Sequence, residues 1–136
     1  MDLNEAREYL KTLQLKMSAY SHAQDLIYYD GMTSAPKDTA DNRAVTLGVF
    51  AEESYRLSAS EETVNTLEYL DANSEALTPE ERRQVYLLLK DNRNLRKIPI
   101  GEYVAYQKLI VEAEDKWHTA KETNDFGLFE PYLEKI

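Results

Sequence analysis

The sequence has no cysteine, which excludes disulfide frameworks, thiolate chemistry and cysteine metal ligation. That fits a cytoplasmic protein. Glycine and proline number four each in 136 residues, too few for architectures built on strands and tight turns. No apolar run approaches the ~20 residues that a bilayer-spanning helix needs. The opening MDLNEAREY is acidic and amphipathic, unlike a secretory signal. Positive charge is also short. Lys and Arg total 16 against 25 Asp and Glu, giving a net charge of −9 and a pI near 4.7. Such a field repels phosphate backbones and anionic headgroups, so neither nucleic acid nor a membrane surface is expected as a partner.

What is present is a helical pattern. Hydrophobic residues make up 43% and charged residues 30%, a globular balance. A chain of this length buries roughly two-thirds of its unfolded surface, enough for one core. The expected fold is all-α, an antiparallel bundle or set of hairpins of five to six helices, read as a single helical region over 1–136.

The first helix is expected over 2–29. Leu3, Ala6, Leu10, Leu13, Met17, Tyr20 and Ile27 step by three and four along one face. Gly31 reads as a left-handed cap, and Pro36 blocks continuation. A second helix is expected over 41–57. Ser58 with Glu61 reads as a capping box opening a third helix over 61–72, with Val64, Leu67 and Leu70 buried. Thr78-Pro79-Glu80-Glu81 is the clearest start signal: a cap, a proline in the first turn and a carboxylate three residues on. It opens a fourth helix over 79–96, with Val85, Leu88, Leu89 and Leu95 inward. Ile98-Pro99 breaks the pattern. A fifth helix over 100–123 carries Tyr103, Tyr106, Ile110, Ala113, Trp117 and Ala120 on one face. Phe126, Leu128 and Phe129 read as a tucked apolar turn, and Glu130-Pro131 opens a sixth helix. The pattern stops at Ile136 in mid-stride, so a fragment of a longer protein is expected.

Candidate chemistry is sparse. His22 and His118 each have a carboxylate three residues away, Asp25 and Asp115, on one predicted helix face. Helical di-metal sites use such pairs together with further inward carboxylates. No facing carboxylates stand in the apolar stripes, so a solvated polar face explains both pairs. HExxH, Gly-rich phosphate loops and G-x-S-x-G are absent. Ten tyrosines are many. Most suit amphipathic packing, with the ring buried and the hydroxyl wet. Tyr28 and Tyr29 differ: adjacent helix residues point about 100° apart, so at least one ring faces a second surface.

Two stretches carry a resemblance. DLIYYDGMTSAPKDTADNRAVTLGVFAEESYRL resembles an early segment of the carboxypeptidase Taq family of zinc metallocarboxypeptidases, in which a helix ends in Trp-Asp, followed by a short turn and a proline. KWHTAKETNDFGLFEPYLEKI resembles that family's A-W-x-x-A-[RK]-x-x-x-D-F-x-x-F-x-P-[YH]-L-E-K. The resemblance implies an all-helical enzyme several times longer than this chain and often homodimeric. It would remove single residues from peptide C-termini with a metal, zinc or another divalent ion, held by HExxH and a downstream glutamate. Those residues lie beyond the matched region, so no catalytic or metal-binding residue carries over, and the chain alone is expected to be inactive. The region present resembles the N-terminal helices that wall or roof the substrate groove, with Tyr29, Asp30 and Met32 as groove-side candidates. Tyr29-Asp30 departs from Trp-Asp: the aromatic is kept and the indole N–H donor is lost. The alternative function is a free-standing helical protein-interaction module. Self-association is expected through residues 126–136 and one face of the first helix.

Overall fold

The computed structural model describes residues 1–136 and contains six α-helices, two short 3₁₀ turns and no strand. The helices are α1 (Leu3–Thr33), α2 (Ala40–Ala59), α3 (Glu61–Ala72), α4 (Pro79–Leu95), α5 (Ile100–Thr123) and α6 (Glu130–Leu133). This is the all-α architecture expected from the helical periodicity. The chain resolves into two compact units, one formed by Met1–Ser21 and Glu53–Pro99, the other by His22–Glu52 and Ile100–Ile136. α1 and α2 each contribute one part to either unit.

The first unit has a leucine-rich core. Ala6 and Leu10 of α1, Leu67 and Leu70 of α3, Leu77, and Val85 and Leu89 of α4 form one buried cluster. Each buried leucine side chain contributes about 1.5–3 kcal/mol relative to exposure. Val64, Leu67 and Leu70 are buried as their spacing predicts. Leu88 and Leu95 are only half-buried.

The helix starts in this unit are set by side chains. Thr78 caps α4: its hydroxyl accepts from the Glu81 N–H at 3.2 Å, and the Glu81 carboxylate accepts from the Thr78 N–H at 2.9 Å. Arg7 binds this start, donating to the Ala76 carbonyl at 2.6 Å and to Glu81 at 3.2 Å. α3 departs from expectation. Its cap is Ser60, whose hydroxyl accepts from the Thr63 N–H at 3.1 Å, and α2 runs on through Ser58. The Thr63 hydroxyl also donates to the Leu57 carbonyl and meets the Tyr9 hydroxyl at 2.8 Å, so its burial is fully satisfied. Asn92 is buried on the core side of α4 and donates to the Ser58 carbonyl, a polar tie that the apolar pattern does not reveal.

The second unit is built differently. Its buried apolar residues are Ala40, Ala44 and Ala51 of α2 and Ala113 and Ala120 of α5, and Gly48 is buried with them. Large apolar side chains stay out: Tyr106, Trp117, Phe126, Leu128 and Leu133 are exposed. Tyr103 and Ile110 are half-buried. The expected tucked turn is made only in part: Phe129 is half-buried and meets Phe126 edge-on, while Phe126 and Leu128 stay exposed. Those residues form a 3₁₀ turn held by Asp125, whose carboxylate accepts from the Gly127 N–H at 3.1 Å, with Phe126 58% exposed. Asn124 closes α5 at φ 54°, with the Asp125 N–H donating back to the Ala120 carbonyl at 2.9 Å. No helix is long and apolar enough to cross a membrane.

The end of α1 corrects the expected cap. The helix continues through Gly31 to Thr33, and no glycine has positive φ. The Asp30 carbonyl accepts from the N–H groups of Ser34 and Ala35, both at 2.9 Å, which closes the last turn before Pro36. Gly31 serves a different need, described next.

Candidate functional site

The second unit gathers the polar side chains that the sequence singles out near the end of α1. Arg43, on the first turn of α2, lies directly against Gly31. A Cβ placed on Gly31 would stand 2.6 Å from the Arg43 Nε and 3.0 Å from its Cδ. The glycine is there for close approach and not for backbone freedom. The far end of Arg43 is fixed: Nη1 donates to the Thr39 hydroxyl at 2.7 Å, and Nη2 lies 3.9 Å from the Asp115 carboxylate of α5. Thr39 in turn donates to the Pro36 carbonyl at 2.7 Å. Asp115 also pairs with Lys116 at 3.7 Å.

A second tie lies one residue further along α1. The His118 Nε2 approaches the Met32 Sδ at 2.9 Å. A thioether only accepts, so this contact is a hydrogen bond in the tautomer that carries its proton on Nε2. The Trp117 ring meets the His118 ring edge-on, with centroids 4.9 Å apart, and the Lys121 ammonium lies 5.1 Å over the Trp117 face. Glu114, one turn before His118, is half-buried. Burial pushes its carboxyl above the usual range, and the nearby His118 charge pulls the other way.

These ties leave part of the turn free to face outward. Tyr28 and Tyr29 are both exposed, Tyr29 at 67%. Asp30 is exposed as well, and Met32 is half-buried under His118. Of the three groove-side candidates, Tyr29 and Asp30 thus present open side chains, while Met32 is engaged. The Met32–His118 contact spans 86 positions, and no local pattern announces it.

The histidine-carboxylate pairs do not make a metal site. His22 is exposed, and Asp115 is drawn toward Arg43 and Lys116. No group of three or more His, Cys, Asp or Glu side chains is arranged to hold a metal ion. The donors present therefore do not fit a catalytic metal. The first unit holds an open cavity of about 360 Å³, lined largely by hydrocarbon from Leu13, Met17, Leu67, Leu88, Leu95 and Ile98. Asp91 is its only charged lining residue.

The chain is all-helical and carries an ordered polar turn at the end of α1. The sequence places it further: the chain belongs to the carboxypeptidase Taq (M32) metallopeptidase family, whose sequence model matches residues 9–136. It is 30% identical to carboxypeptidase 1 of Bacillus subtilis over 136 residues, covering all of this chain and 27% of that protein. It is 29% identical to thermostable carboxypeptidase 1 of Pyrococcus furiosus over 133 residues, covering 98% of this chain and 26% of that protein. The crystal structure designated BsuCP superposes with a TM-score of 0.90 at 32% identity, over 96% of this chain and 26% of that one. The chain thus spans about a quarter of the length of the curated relatives it matches.

Proposed function

We propose that this chain forms the N-terminal helical wall of the substrate groove in a metal-dependent carboxypeptidase, one that removes C-terminal residues from peptides. The supporting observation is the family match over 9–136 in a chain that spans only about a quarter of its relatives. In this reading the metal, zinc, is held by residues outside this chain, a view supported by the lack of HExxH here. Tyr29 and Asp30 supply the groove-side surface, and Met32 holds their turn in place. The chain by itself binds no catalytic metal and is inactive. A cytoplasmic location belongs to the same reading.

The test is a chromogenic C-terminal peptide assay on the chain alone, with zinc or cobalt added. No release above buffer is expected. Metal-dependent release of the terminal residue would overturn the proposal. Self-association of the isolated chain through residues 126–136 and a face of α1 is also proposed, supported by the exposure of Phe126, Leu128, Leu133 and Ile136. Light scattering at high concentration checks it: an oligomer is expected, and a strict monomer contradicts it.

A further inference from the structure

Three observations converge on Arg43. Its side chain is largely buried, at 16% exposure, although nothing in the apolar pattern of α2 asks for an arginine there. It crosses α1 at the one residue in that helix lacking a Cβ, Gly31, so closely that any other side chain would collide with Nε. Its guanidinium is tied through Nη1, which donates to the Thr39 hydroxyl at the entry to α2, while Nη2 faces the Asp115 carboxylate of α5 at ion-pair distance, 3.9 Å. A long side chain can swing away from an intruding Cβ only if its tip is free. Here the tip is held, so the position of Arg43 and the position of the last turn of α1 are coupled. Gly31 sits between Asp30 and Met32 and two residues from Tyr29, so the residue that Arg43 fixes is the centre of the outward-facing turn.

The Met32–His118 contact holds the same turn from α5, but through one weak acceptor. Arg43 supplies the stronger tie, because its hydrogen bond to Thr39 is charge-assisted and its second nitrogen faces the Asp115 carboxylate. A lysine in its place keeps the charge and reaches only one of the two partners.

We propose that Arg43 is a positioning residue for peptide binding: it touches no substrate and sets, through Gly31, the orientation of Tyr29 and Asp30. This rests on the reading that those two side chains line the groove.

The test uses the complete protein that carries this chain, with steady-state kinetics on a C-terminal peptide substrate. Four variants are compared: Arg43→Lys, Gly31→Ala, Tyr29→Ala and the double variant Arg43→Lys with Tyr29→Ala. Arg43→Lys and Gly31→Ala are each expected to raise KM about tenfold with kcat within about twofold, the signature of lost binding that substrate and transition state share. Thermal midpoints that stay close to the parent's separate this from general loosening of the fold. Tyr29→Ala should raise KM similarly. The double variant should exceed Tyr29→Ala by less than Arg43→Lys costs on its own, because Arg43 acts in part through that side chain. If Tyr29→Ala raises KM while Arg43→Lys and Gly31→Ala leave it unchanged, the inference fails and the groove reading stands. If Tyr29→Ala changes nothing, the groove reading fails and the inference with it. An additive double variant also overturns the inference, since Arg43 would then act by another route. Should Arg43→Lys fail to fold, Gly31→Ala carries the test, because it displaces the same side chain while keeping its guanidinium.

Discussion

The two units of this chain are held together by different means. In the unit of Met1–Ser21 and Glu53–Pro99, leucines, Val85 and Ala6 from three helices close on one another, and the buried polar groups Thr63 and Asn92 bond within that core. In the unit of His22–Glu52 and Ile100–Ile136, the buried residues are alanines and Gly48, and the large apolar side chains are half-buried or exposed. Its order comes from polar ties such as Arg43 to Thr39 and Asp115, and His118 to Met32. A leucine core is insensitive to where its surface residues point. A layer of small residues pinned by a few directional contacts holds its surface side chains more narrowly, at the expense of stability. The contrast suits one unit that keeps the fold and another that presents a surface.

The sharpest way to break that contrast is to delete leucine volume. Leu67→Ala or Leu70→Ala should destabilise the chain by about 2–5 kcal/mol, because both side chains are fully buried and leave a cavity. Urea unfolding measures it. The second unit should instead resist added volume. Ala113→Leu should cost about 1–3 kcal/mol by overpacking. If Ala113→Leu proves neutral, the second unit is looser than the buried alanines imply.

Cap chemistry gives the next effect. Thr78→Ala should cost about 1 kcal/mol. The Thr78 N–H holds the Glu81 carboxyl below the ordinary value of 4.5; burial opposes this, and the Arg7 guanidinium adds to the lowering. A depressed folded value means the stabilisation is present above 4.5 and is lost as pH falls through the folded value. Glu81→Gln should flatten that acid limb of the stability curve.

The smallest effect lies in the second unit and has the opposite sign. Burial raises the Glu114 carboxyl above 4.5, so the folded state binds its proton more tightly than the unfolded chain does. Stability from this group therefore falls as pH rises from 4.5 through the raised value. Glu114→Gln should stabilise the chain at neutral pH and leave it unchanged well below pH 4.5. Chemical denaturation at the two pH values checks the sign.

Much of the fold was legible because local chemistry decided it. The Thr78-Pro79-Glu80-Glu81 start and the bounds of α3 and α5 follow from caps, proline and period alone. The errors have a common cause. Gly31 reads as a cap because glycine ends helices, yet here it accommodates a side chain twelve residues away in sequence. Ser58 and Glu61 have capping-box spacing, but α2 keeps Ser58 and passes the role to Ser60. Phe126 and Leu128 look like core residues by type, and only tertiary structure reveals that nothing in this chain covers them. Asn92 and the Met32–His118 contact are long-range polar ties, which periodicity cannot register. At the candidate site, the helical angle between neighbours made it readable that at least one of Tyr28 and Tyr29 leaves the core stripe. That both are exposed was not readable, and neither was the Arg43 tie that steadies their turn.

The most direct test of the groove-wall account is photo-crosslinking in the complete protein. Benzoylphenylalanine would replace Tyr29 in the second unit and, as a control, Tyr86 in the first, which is also exposed. A labelled peptide substrate should crosslink at position 29, lose that crosslink when unlabelled substrate is added, and leave position 86 unmarked. Equal labelling at both positions, or none at position 29, would contradict the account.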